Sequence, residues 1–226
     1  FANSMAARTY NYLKYKSMFF EYLYTEPFFA IATLLGIIYA LTIHEFSHAL
    51  AAALLGDDTA KNEGRLNLNP LVHIDFVGFL MLLFIGFGWG KPVPFNLNNL
   101  KNQKSDSAII AFAGPLSNII SFFIFVGIFK YLIPFLNFAP SVLLIHFLSY
   151  LILINLILAI FNLIPIPPLD GSKILFAILP DRFKNFEISF EQNGPYILIG
   201  LLILDNVLNL GIFNGLFDWI IRLINI

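Results

Sequence analysis

Residues 28–56, FFAIATLLGIIYALTIHEFSHALAAALLG, decide how the rest of the sequence is read. The run exceeds the roughly 20 residues that a membrane-crossing helix needs. As a helix it is about 43 Å long at 1.5 Å per residue, enough to span with some tilt. Yet His44, Glu45 and His48 fall inside it. An ionisable group near the bilayer centre costs a few kcal/mol, so three on little more than one turn require a reason.

Composition fixes the solvent. Of 226 residues, 58% are hydrophobic and only 12% charged, against about 25% charged in an ordinary soluble domain. A water-soluble fold cannot hide that much apolar surface, so an integral, multi-pass membrane protein is expected, with the lipid bilayer as a partner. The net charge of -1 and the lack of any basic tract give no basis for nucleic-acid binding. No cysteine is present, which excludes disulfides and thiolate metal ligands. Phe1–Ser4 precede Met5 and read as an expression remnant, leaving one domain over 5–226; the N-terminus shows no signal-peptide pattern.

Three crossings stand out: Phe28–Gly56, Ala108–Ile133 and Ser141–Ile164. A fourth, Pro195–Ile224, is interrupted by Asp205, Asn206 and Gly211 and is expected to be broken or tilted. Leu71–Gly90 is apolar but holds His73, Asp75 and four glycines, and the prolines of KPVPFNLNNLK follow it. A re-entrant segment leading into an extended loop is the expectation there. Tyr10–Tyr24, aromatic with Lys14, Lys16 and Glu21, reads as an interfacial amphipathic helix. The side receiving 57–107 and 165–194 carries Lys61, Arg65, Lys91, Lys101, Lys104, Lys173, Arg182 and Lys184. The other side carries Arg8, Lys14, Lys16, Lys130 and Arg222, so the first is expected to face the cytoplasm.

His44-Glu45-Phe46-Ser47-His48 is H-E-x-x-H on a helix. Residues i and i+4 share a face, so both imidazoles can reach one ion. Zinc fits best, because it accepts neutral imidazole nitrogens. Glu45 lies about 100° around the helix from His44, beside the ion rather than on it, where it can take a proton from an attacking water. The plainer alternative is a buried polar network tying helices together.

A catalytic zinc normally has three protein ligands and one open position. No short-range partner follows His48; Asp57 and Asp58 lie past Gly56 in the exit loop. The better candidate is Asp170 in FNLIPIPPLDGSK, residues 161–173, where Pro165, Pro167 and Pro168 break a helix. Broken backbone at membrane depth survives only when packed by protein or lining a watery cavity. A cap and turn leading to a surface helix is the other reading of the same residues.

H-E-x-x-H in one membrane helix, with N-x-x-P-x-P-P-L-D-G far downstream, resembles the site-2 protease family of intramembrane zinc metalloproteases. LNPLVHIDFVGF (68–79), GWGKPVPFN (88–96) and AGPLSN (113–118) are similar to family blocks in the same order, so the resemblance covers about residues 28–180. It is to the compact form, since no segment has the length for a PDZ domain or a pair of CBS domains; gating would then fall to membrane segments, the N-terminus or a separate partner. The resemblance implies His44, His48 and Asp170 as zinc ligands and Glu45 as the general base of a zinc endopeptidase. It implies a transmembrane segment of another membrane protein as substrate, cut within the bilayer. It also implies that Gly90, Lys91, Pro92 and Val93 belong to a small membrane-embedded β element that offers an edge to the unwound substrate, and that Asn162 and Asn118 bind substrate or help stabilise the oxyanion. On their own, such amides are as readily interhelical glue. His73 and Asp75 read as structural, His146 as a packed helix residue, and Asp205 has no reading.

The expected fold is therefore an all-α membrane protein: a polytopic transmembrane helix bundle with a re-entrant segment and a small β element. Competing functions are a zinc transporter, which should repeat its ligands on several helices, and a protease-like binding protein without turnover. The active site is expected nearer the cytoplasmic side of the cell membrane.

Overall fold

The computed structural model describes residues 23–85, 88–136, 139–208, 210, 211, 215 and 219. Six helices matter for the site: α1 (Pro27–Leu54), α2 (Phe76–Ile85), α3 (Gln103–Gly127), α4 (Val142–Asn162), α5 (Asp170–Ile178) and α6 (Lys184–Val207). A π-helical turn, Ile128–Leu132, and a short helix, Ile133–Phe135, prolong α3. Among the described residues three helical stretches are long and apolar enough to cross a membrane: Pro27–Leu54, Gln103–Phe135 and Val142–Asn162. They match the three expected crossings. The expected amphipathic Tyr10–Tyr24 lies outside the described residues except for its last two positions.

α1 begins where Pro27 supplies a preset φ at the first turn. Thr33, Thr42 and Ser47 bond back to the carbonyls four residues earlier, which satisfies their hydroxyls without water. Its buried side is a row of small residues at i+4 spacing, Ala32, Gly36 and Ala40, continued by His44, His48 and Ala52. Without a hydrophobic drive between helices in lipid, small residues let backbones approach and gain dispersion contact. Gly36 lies against Leu151 of α4, and the histidines further along lie against α3. His44 and His48 therefore continue this row of close packing.

α1, α3 and α4 pack on one another, and α5 folds back onto α3. The outward faces carry Ile31, Leu35 and Leu54 on α1 and Ile109, Ile120 and Phe123 on α3, all exposed. Those faces suit lipid rather than water.

The fourth apolar stretch differs from expectation. α6 starts at Lys184, upstream of Pro195, and holds Pro195 in its interior. Charged residues before the proline are tied down rather than looped out: Glu187 takes Lys184 and approaches Lys104 at 3.9 Å, and Glu191 pairs with Lys173 of α5. Most residues beyond 208 lie outside the described set.

Between α1 and α3 the chain forms a tethered cap. Asp57 is fully buried and accepts from Thr59 Oγ1 and N, from Asn99 Nδ2 (2.7 Å) and from Asn96 N (2.6 Å). Asp75 Oδ1 accepts from Gly78 N (2.7 Å) and so caps α2. His73, fully buried, donates from Nε2 to Asn67 O (2.7 Å). Ile74 and Gly90 make one antiparallel bridge; among the described residues no longer strand forms. His146 packs between Phe29 and Tyr150, with ring centroids 4.4 and 4.8 Å away. Asp205 is buried near the end of α6.

Candidate metal centre and active site

His44, Glu45 and His48 are all buried, at most 9% exposed. The imidazoles meet edge to face, 4.6 Å between centroids. His48 Nδ1 lies 2.7 Å from Ile110 O, and a main-chain carbonyl can only accept. In the neutral ring, the form that binds a metal, the proton is therefore on Nδ1 and the lone pair on Nε2. His44 Nδ1 donates likewise to Asn118 Oδ1 at 2.6 Å. Each ring thus has its outer nitrogen secured and its Nε2 available, the arrangement that metal-binding histidines use.

Asp170 comes from the other side of the bundle. The chain leaves α4 at Asn162, turns through Pro165, Pro167 and Pro168, and enters α5 at Asp170. The turn closes tightly at Gly171, where a Cβ would lie 2.5 Å from the carbonyl carbon of Leu163. α6 braces it from outside, since a Cβ on Gly194 would lie 2.5 Å from Pro167 Cβ.

This turn sets Asp170 Oδ2 3.1 Å from His44 Nε2 and 3.4 Å from His48 Nε2. The three ligand atoms lie within 4.8 Å of one another. Asp170 Oδ2 is buried and has no hydrogen-bond donor. Two lone pairs and a carboxylate oxygen facing one another repel unless a cation lies between them. Ligands at 2.0–2.1 Å from a tetrahedral ion are about 3.3 Å apart, which the two measured separations bracket. The residues fit zinc. Glu45, next to His44 and also buried on α1, is not among the three groups that converge.

Gly114 of α3 completes the wall. A Cβ there would lie 2.6 Å from His48 Cε1 and 2.7 Å from His44 Cε1. Only a glycine leaves both rings where they are. AGPLSN could be quoted from the sequence as a block, but nothing in it announced this approach.

The remaining predicted residues are distributed around the centre. Asn118 is fully buried; besides accepting from His44 it donates to Ala40 O (3.0 Å). Asn162, the last residue of α4, donates to Leu158 O of its own helix (3.0 Å) and does not join the ligand cluster. Gly90 touches Leu41 of α1, since a Cβ on it would lie 2.9 Å from Leu41 Cδ1. Leu41 is about one turn before His44, so Gly90 meets α1 about one turn from the centre. Lys91 N donates to His73 O (2.8 Å), while Arg65, 3% exposed, donates to the carbonyls of Lys91 and Pro92. The sequence offers Arg65 only as one of the charges that orient the chain and Asp57 only as a ligand set aside; a charged loop residue carries no mark of the main chain it will hold.

Comparison with known proteins adds an independent line. The profile of peptidase family M50 matches residues 126–204. YwhC of Bacillus subtilis, whose name describes it as a candidate zinc metalloprotease, is 38% identical over 171 residues, covering 74% of this chain and 78% of its own. The chain belongs to peptidase family M50. Rip2 of Mycolicibacterium smegmatis, similarly named, is 31% identical to the M50 chain over 182 residues, 76% of this chain and 67% of its own. Protease RseP of Photorhabdus luminescens matches over a shorter stretch, 37% over 71 residues, 31% of each chain. No solved structure matches significantly. Membership makes this membrane protein a metallopeptidase, and its His44, His48 and Asp170 cluster has the donor set that such an enzyme needs.

Proposed function

We propose that this M50 zinc metalloprotease cleaves transmembrane segments of other membrane proteins inside the bilayer, with His44, His48 and Asp170 holding the zinc and Glu45 as general base. The observation that carries the reading is the convergence of three potential ligand atoms, two imidazole nitrogens and a buried carboxylate oxygen, within a bundle of helices long enough to span a membrane. His44 lies about 15 Å of helix rise before the C-terminal end of α1, which argues for a centre at hydrocarbon depth.

Zinc, when bound, polarises the scissile carbonyl and acidifies the attacking water. Glu45 takes that water's proton and returns it to the departing amine. Ile110 O and Asn118 keep the ligand rings from turning.

A helical substrate must unwind before its carbonyl is accessible, and its freed main-chain groups then need partners. Within 90–96 the chain offers some. Arg65 occupies the carbonyls of Lys91 and Pro92, but the N–H and C=O of Val93 and Phe95 have no partner among the described residues. They supply an edge to which an extended segment can add, making this stretch the small β element. α2, ten residues long with Phe76, Val77 and Phe84 exposed, is too short to cross and supports a re-entrant course for Leu71–Gly90. The single domain has its core over about 28–180, and Asn162, at the end of α4, is assigned to the substrate's main chain. The excess of Lys and Arg on the side of the α1 C-terminus supports a cell-membrane enzyme with its centre nearer the cytoplasm.

Quantitative mass spectrometry of membranes carrying wild type or Glu45→Gln tests the reading. Intact single-span proteins should accumulate in the variant and appear as fragments ending within the span in the wild type. Identical membrane proteomes would sink it.

A further inference from the structure

One fully buried polar side chain of α4 has no place in the reading above: Asn155, in the run LINLIL. Its Nδ2 donates to Leu151 O (2.7 Å) and its Oδ1 accepts from Asn118 Nδ2 (2.9 Å). Asn118 Nδ2 also donates to Ala40 O (3.0 Å), and Asn118 Oδ1 faces His44 Nδ1 (2.6 Å).

The order of donors along this chain is forced from its far end. A main-chain carbonyl only accepts, so Leu151 O demands the NH2 of Asn155 and turns the Asn155 oxygen toward Asn118. That oxygen and Ala40 O together demand the NH2 of Asn118, which turns the Asn118 oxygen onto His44. An oxygen facing Nδ1 keeps the ring proton there. The lone pair is then on Nε2, the atom 3.1 Å from Asp170 Oδ2. In a free histidine the proton prefers Nε2, the very atom a metal needs bare.

We infer that Asn155, acting through Asn118, is a positioning residue that holds His44 in the Nδ1–H tautomer, so that Nε2 is ready for the ion. The inference rests on the reading of His44 as a zinc ligand. It goes further in giving α4, which contributes no ligand itself, control over one. Interhelical glue is the competing role, because two amides bonded across helices also tie α3 to α4. Asn155→Asp keeps an oxygen toward Asn118 and so keeps both roles, whereas Asn155→Leu and Asn155→Ala remove both; the roles part in the readout, zinc affinity for positioning and unfolding temperature for glue.

The test is the zinc dissociation constant of full-length protein in detergent, by competition with a chromophoric chelator, beside the thermal unfolding temperature of the metal-free form. Loss of an outer partner of a ligating histidine typically weakens metal binding about 10–100-fold. Asn155→Leu and Asn155→Ala should show that loss, and Asn155→Asp should stay within about threefold of wild type. Should the leucine variant not accumulate, the alanine–aspartate comparison decides. Equal zinc affinity in all variants, with only the unfolding temperature lowered, overturns the inference in favour of glue. If instead His44→Ala leaves wild-type zinc affinity unchanged, the ligand assignment itself has failed, and that result is separate from the Asn155 comparison.

Discussion

The main chain of α3 at Gly114 presses against His48, so that a Cβ at Gly114 would lie 2.6 Å from the His48 Cε1 atom. Such separations lie far inside van der Waals contact, so Gly114→Ala must displace one ring or both. Overpacking of this kind costs about 1–3 kcal/mol. Here it should appear mainly as lost metal: purified Gly114→Ala is expected to carry well under one zinc per chain by elemental analysis. Retention of a full equivalent would mean that α3 can move away from the histidines.

In the proposed zinc site Asp170 is the one anionic ligand. Asp170→Ala leaves two neutral imidazoles, and zinc content should fall steeply while the membrane helices still form. Unchanged stoichiometry would point to another third ligand.

Arg65 reaches across the cap to the carbonyls of Lys91 and Pro92. Arg65→Ala frees that stretch without touching the metal ligands. The expected outcome is a raised KM for a transmembrane test substrate with zinc content unaltered. Wild-type kinetics would show that the edge at Val93 needs no such support.

Burial alone would raise the pKa of Asp57, but hydrogen bonds from Thr59, Asn99 and the Asn96 main chain outweigh it and hold the carboxyl below its usual value. A lowered folded-state pKa means that the ionised form stabilises the fold above the unfolded value of about 3.9 and ceases to do so as pH falls through the folded value. The stability difference between wild type and Asp57→Ala should therefore be constant from about pH 5 to pH 8 and shrink below about pH 4. Thermal unfolding in detergent across that range checks this, and a gap that widens toward low pH would contradict it.

How much of this could be read in the chain follows from distance along it. His44 and His48 stand out because i, i+4 spacing is local and an apolar helix makes charge conspicuous. Asp170 stands out because three prolines break a membrane helix just before it. Gly114, Arg65, Asp57 and Asn155 owe their roles to which helix or loop arrives beside them, and no local pattern encodes that arrival. Asn162 drew attention for its nearness to Asp170, yet Asn155, two turns earlier, is the amide that the fold connects to a histidine. α6 begins before the apolar stretch for a similar reason: Glu187 and Glu191 resemble loop residues until Lys104 and Lys173 meet them.

The most direct measurement is to reconstitute zinc-loaded protein with a single-span test substrate in proteoliposomes and map the cut bond by mass spectrometry. The account predicts a bond inside the hydrophobic span, cut by wild type, and no cleavage with Glu45→Gln at unchanged zinc content. Cleavage confined to residues outside the span, or equal cleavage by Glu45→Gln, would contradict it.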